Sequence, residues 1–248
     1  MQTSSTFLKA ANTLISVVVG IFMCLAGIYA VYALWDNHQI YSAAQNVQED
    51  MLKLKPTAEE NGPSFEELMA VNSDVCAWIT LDNTGIDYPV LQGENNLSYI
   101  NTDVYGDFAL AGSIFLDSRN SNDFQDAYSL LYGHHMENGE MFGDLDLYKD
   151  ESFFNENRTG TLILPDRTYS LEIFACLLSP ASDDTIFNPQ QWQDNIDGLL
   201  EHVRSEALYV DEEIISDLEA SESPQVLAMS TCSTEYTDAR TIILAVMK

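Results

Sequence analysis

Cations are scarce in this sequence: ten Lys and Arg stand against 39 Asp and Glu, a formal charge of −29 over 248 residues. A nucleic-acid partner is thereby disfavoured, because binding a phosphate backbone needs clustered Lys and Arg to displace its counterions. An anionic lipid surface is disfavoured for the same reason, and the acidic excess serves solubility or the choice of cationic partners. Cysteine is sparse too. Cys24, Cys76, Cys176 and Cys232 include no CxxC pair, and no His stands at metal-ligand spacing from them, which argues against a zinc site. No cofactor is called for. Repeats and low-complexity tracts are lacking as well, and the acidic residues are spread along the chain instead of forming a tail.

Charge is absent altogether from Ala10 to Trp35. Within that stretch Leu14 to Leu34 reads LISVVVGIFMCLAGIYAVYAL, which at about 1.5 Å per helical residue crosses a hydrocarbon core of about 30 Å. The apolar run exceeds that of a cleaved signal peptide, so it reads as an uncleaved anchor, with Tyr29, Tyr32 and Trp35 near one interface. Lys9 precedes the span and every Asp and Glu follows it, which places the N-terminus inside and the bulk of the chain outside. The expected organisation is a cytoplasmic segment 1–9, a transmembrane anchor 10–35, an extracellular helical segment 36–70 and a main domain 71–248. Outside the cell a disulfide is permitted, and Cys76 with Cys176 is the pair that leaves Cys232 free; the sequence leaves its formation open.

Beyond the anchor, Ile40, Ala44, Val47, Met51 and Leu54 recur at steps of three and four before Pro56, which predicts an amphipathic helix with one buried stripe. In "SFEELMAVN" the Ser64/Glu67 spacing is that of a capping box, predicting a second short helix. From Val75 the texture changes to short runs rich in Val, Ile, Tyr and Thr: "CAWITL", "IDYPVLQ", "GSIFLD", "AYSLLYGH", "GTLILP", "TYSLEIFACLL", "VLAMSTC" and "RTIILAVMK". About eight strands at this spacing predict a mainly β fold, a closed or nearly closed eight-stranded barrel. One helix is expected to interrupt them, capped by Asn188, with Pro189 in its first turn and Trp192, Ile196, Leu199, Leu200 and Val203 along it.

Two of these strands end in reactive side chains. "VLAMSTC" delivers Cys232 where an apolar run gives way to polar residues, and "AYSLLYGHH" delivers His134 and His135 in the same way. Alone, each is more often an unreactive surface residue. With Arg240 eight positions after the cysteine the set has a chemical meaning. A nearby imidazole or guanidinium favours the nucleophilic thiolate. Arg240 can donate to a substrate carbonyl or a developing oxyanion, and His134 can protonate a leaving amine.

These features together resemble the sortases, membrane-anchored cysteine transpeptidases of Gram-positive bacteria. The resemblance runs over nearly the whole chain: an N-terminal anchor, a strand ending "YGHHM", a strand ending "STC" and an arginine opening the last strand. Class B is indicated by the two helices before the barrel, by "GIDYPVLQGENNLSYIN" and "YGHHMENGEMFGDL", and by a helix inserted before the cysteine strand. The resemblance implies catalytic roles for His134, Cys232 and Arg240, His134 being preferred to His135 because it directly follows Gly133. It also implies that Asn96, Ile100, Tyr132 and Ser230 line a groove for the substrate peptide, although each could be ordinary barrel packing. Glu235 and Asp238 read more plainly as solvated loop acids. The implied reaction cleaves a C-terminal sorting signal after its Thr through a thioester on Cys232. Transfer then follows to an amine of a peptidoglycan precursor or a pilin. Two rivals share these residues: an extracellular cysteine protease that passes its acyl group to water, and a non-catalytic tethered binding module. A papain-like arrangement is disfavoured because His precedes Cys in a strand-rich framework.

Overall fold

The computed structural model describes residues 2–57, 62–193, 195–232 and 238–248. The chain divides into two compact units, residues 1–42 and residues 43–248. The first is helical, and its apolar side chains from Leu14 to Trp35 are exposed. It belongs to α1, Gln2–Leu52, which contains an 18-residue stretch of mean hydropathy 2.5, is long and apolar enough to cross a membrane, and is compatible with membrane anchoring. The amphipathic stripe and the apolar run are therefore parts of one continuous helix. Nothing in the sequence between Trp35 and Ile40 breaks it, since neither Gly nor Pro intervenes.

In the second unit the buried stripe is as expected. Met51 is buried with Phe65, Leu68, Trp78, Leu91, Tyr99 and Phe115, while Val47 and Leu54 pack against this cluster. Helix α2, Phe65–Val71, starts at Ser64 with both bonds of the capping box formed.

The strands follow as β1 Val75–Leu81, β2 Asp87–Leu91, β3 Ile114–Leu116 and β4 Tyr128–Tyr132. After the short helix α3, Glu151–Glu156, come β5 Thr159–Ile163 and the long β6, Thr168–Pro180. The insertion holds α4 Asp184–Phe187, α5 Asp197–Glu206, β7 Ala207–Val210 and α6 Glu212–Ala220. Strands β8, Val226–Cys232, and β9, Ala239–Met247, complete the sheet. Its order is β5-β1-β2-β3-β4-β8-β9-β6-β7, and a further β5–β6 pairing closes the first eight into a barrel. The eight expected strands form the barrel. β7 is a ninth, hung on the outer edge of β6.

The insertion departs from the expected single helix. Asn188 makes no side-chain cap, Pro189–Trp192 is a 3-10 turn, and the α-helix begins only after Ile196. The break turns Trp192 back, so that its Nε1 donates to the Thr185 carbonyl at 2.7 Å. Ile186, Leu199, Leu200, Val203, Ile215 and Leu218 are buried against Val226, Ala228, Ile242, Leu244 and Val246 of β8 and β9. At about 1.5–3 kcal/mol for each fully buried aliphatic side chain, this packing fixes the insertion against β8, which carries Cys232, and β9, which carries Arg240.

Candidate active site

Register brings the candidate residues together. Strands β4 and β8 run parallel, with Tyr132 opposite Ser230, so two further residues along each chain lie His134 and Cys232. Strand β9 is antiparallel to β8, and Arg240 is the register partner of Cys232. Three segments thus end at one rim of the barrel. The Cys232 side chain and residues 233–237, Glu235 among them, lie outside the described residues; Asp238 is exposed, with φ 61°.

The turn beyond β4 is shaped by Gly133. Its N–H donates to the Ser230 carbonyl at 3.2 Å, and a Cβ at this position would crowd Ile114 and Phe142. His134 follows, half-buried, with Nε2 at 2.7 Å from the Ile100 carbonyl. A carbonyl only accepts, so this bond requires the proton on Nε2. Ile100 therefore meets His134 through its backbone, while its side chain packs on the core beneath α1. The loop is held there by Gly112, whose φ of +59° and close approach to the Ile100 carbonyl leave no room for a side chain.

His135 is engaged elsewhere. Its Nε2 lies 3.2 Å from Asp146, a carboxylate that also accepts from the Thr241 hydroxyl at 2.7 Å and pairs with Lys149 at 2.9 Å. Of the two adjacent histidines, His134 alone is thus directed to the Ile100 loop. Arg240 is half-buried and donates through one terminal nitrogen to the Ala239 carbonyl at 3.0 Å.

Asn96 and Tyr132 converge on Asp117, which the sequence reading left out. Asn96 Nδ2 and Tyr132 Oη each donate to Asp117 Oδ2 at 2.9 Å. Ser230 is buried, and its hydroxyl has no hydrogen-bond partner among the described residues. Phe187 from the insertion stacks on Tyr132, with ring centroids 6.3 Å apart and planes 15° apart.

Known proteins are similar to the chain over most of its length. No family model matches. Sortase B of Listeria monocytogenes is 31% identical over 245 residues, 96% of each chain. The chain belongs to the class B sortases. Sortase B of Staphylococcus aureus is 26% identical, over 97% of each chain. Among solved structures, a Streptococcus pyogenes class B sortase involved in pilus biogenesis superposes with a TM-score of 0.67 at 38% identity, covering 74% of this chain and 97% of that one. The S. aureus sortase B structure gives 0.65 at 27%, covering 86% and 98%. As a class B sortase, the protein is a cysteine transpeptidase with the closed barrel of its relatives.

The electrostatics of this sortase's rim follow from burial. Asp117 is fully buried, which by itself pushes its carboxyl up, yet the bonds from Arg119, Asn96 and Tyr132 hold it below the usual carboxylate range. Burial and the adjacent Asp117 push the Tyr132 hydroxyl well up, so it remains a proton donor. No disulfide joins Cys76 and Cys176. Cys76 donates weakly to the Val90 carbonyl, and burial pushes its thiol up to about 12, an inert environment for a nucleophile.

Proposed function

We propose that His134, Cys232 and Arg240 are the catalytic residues of a sortase acting on C-terminal sorting signals, with Asn96, Ile100, Tyr132 and Ser230 along the peptide groove. The observation that carries the reading is the strand register. Cys232 and His134 follow matched positions on two parallel paired strands, and Arg240 closes the antiparallel rung beside Cys232.

In this mechanism the Cys232 thiolate attacks the carbonyl carbon of the Thr in the sorting signal. The C–O π electrons move onto oxygen, and Arg240 donates hydrogen bonds to the resulting oxyanion. Collapse re-forms the carbonyl and breaks the C–N bond. His134 supplies the proton that the departing amine requires; because its Nε2–H is held by the Ile100 carbonyl, Nδ1 is the nitrogen left to deliver it. The product is a thioester. An incoming amine loses its proton to His134 and attacks the thioester, expelling the thiolate and forming a new amide. The acceptor is an amine of a peptidoglycan precursor or of a pilin. Anchored by α1 with its N-terminus in the cytoplasm, the enzyme holds its barrel on the outer side, beside lipid-linked acceptors.

Intact-mass measurement tests the thioester. Wild-type protein incubated with a sorting peptide and no amine should gain the mass of the N-terminal peptide fragment. Treatment with hydroxylamine should remove it, and Cys232→Ala should never acquire it. An adduct that persists in Cys232→Ala would overturn the assignment.

A further inference from the structure

One buried carboxylate joins the groove residues to the insertion. Asp117 has a fully buried side chain, and it receives five donors. Besides Asn96 and Tyr132 these are the Arg119 backbone N–H at 2.9 Å, Arg119 Nε at 2.8 Å and a terminal Arg119 nitrogen at 2.7 Å. A carboxylate offers about four lone-pair sites, so no capacity remains for a ligand. Asp117 therefore acts through its partners.

The effect on those partners is specific. Tyr132 has one hydroxyl proton and gives it to Asp117, so its oxygen can only accept from anything in the groove. Asn96 is fixed from both ends: its Oδ1 accepts from the Ser118 N–H at 2.7 Å while Nδ2 donates to Asp117. What remains to Asn96 is one N–H, beside the second lone pair of an Oδ1 already turned to Ser118. Arg119 carries the connection onward, donating to the Phe187 carbonyl at 2.6 Å and to Asn188 Oδ1 at 3.4 Å. Those residues belong to the insertion, and Phe187 is the ring stacked on Tyr132.

We propose that Asp117 is the positioning residue of the peptide groove: it presents Tyr132 as an acceptor and Asn96 as a donor toward the N–H and C=O of peptide amides, and through Arg119 it locks the insertion against them. The inference rests on the functional reading above, because it takes Asn96 and Tyr132 as groove residues. Neither residue reaches the scissile bond in this scheme, so Asp117 governs peptide binding and leaves bond-making alone.

The test separates those two effects in the full chain held in detergent micelles. Asp117→Asn keeps the shape but turns an acceptor into a donor facing three donors. It should raise KM for a fluorescent sorting peptide by about tenfold or more while kcat stays within about threefold, the pattern of lost uniform binding. In the Cys232→Ala background, calorimetric affinity for the same peptide should fall by a similar factor when Asp117→Asn is added. Alkylation of Cys232 by iodoacetamide in the single Asp117→Asn variant should keep its wild-type rate. If Asp117→Asn does not fold, Tyr132→Phe and Arg119→Lys retain the carboxylate, and each should raise KM about threefold or more with kcat kept. A folded set with unchanged KM, or a fall in kcat at constant KM, overturns the inference alone. Peptide that the Cys232→Ala parent fails to bind, and the wild type fails to cleave, would remove the functional reading and this inference with it.

Discussion

Arg240 and Cys232 are register partners on the last rung of the β8–β9 ladder. The rung matters to the proposed mechanism, in which Arg240 serves the oxyanion that forms when Cys232 attacks the substrate carbonyl. A planar guanidinium offers a fixed fork that an ammonium lacks. Arg240→Lys should therefore lose about 3 kcal/mol of transition-state stabilisation, the scale of one missing oxyanion donor. Steady-state kinetics check this, and near-normal turnover in the Lys variant would show that charge alone suffices.

His134 and His135 make an internal control, because they are adjacent in sequence and differently engaged. His134→Ala should lower kcat by about 10²–10⁴, the usual contribution of a general acid. His135→Gln removes only the imidazole beside Asp146 and should retain most of the activity. Equal losses in the two variants would refute the division of roles.

Thiol chemistry separates the cysteines. With its thiol pushed up to about 12, Cys76 is thiolate to about one part in 10⁵ at neutral pH. Iodoacetamide at pH 7 followed by peptide mapping should label Cys232 and leave Cys76 unmodified. Rapid labelling of Cys76 in the folded protein would contradict its burial.

The insertion gives a stability prediction. Asp211 caps α6 by accepting from the N–H groups of Glu213 and Ile214, and it pairs with Arg158 at 2.7 Å. Burial tends to push its carboxyl up, but these bonds outweigh it and hold the group below the usual range. Its stabilisation is therefore complete above the unfolded value of about 3.9 and fades as pH falls through the lower folded value. Asp211→Ala should cost about 1 kcal/mol at neutral pH. The gap between variant and wild type in thermal or urea unfolding should narrow below about pH 4. A gap that is constant with pH would exclude an ionised cap.

The sequence made legible what repeats at short range. Short runs rich in Val, Ile, Tyr and Thr mark all eight barrel strands, and the Ser64/Glu67 spacing marks the start of α2. Strand β7 escaped because "ALYV" is four residues long and directly follows a helix. The helix break after Trp192 is accompanied by its side-chain bond to the Thr185 carbonyl, which the apolar spacing does not announce. At the candidate site, the strand ends carrying His134, Cys232 and Arg240 could be read, since each closes or opens an apolar run. Asp117 could not be, because its role depends on Asn96 and Tyr132, 21 and 15 residues away. The only local hint was an Asp and an Arg two positions apart at the end of a predicted strand.

The most direct measurement of the account is the fate of the acyl group. A fluorescent sorting peptide is incubated with wild-type protein, with and without a panel of amines that includes native cell-wall fragments, and the products are identified by mass spectrometry. The account predicts free acid in the absence of amine, diversion to the amide when an acceptor is present, and neither product from Cys232→Ala. Hydrolysed acid alone across the whole panel would contradict transfer by this chain and leave it acting as a protease.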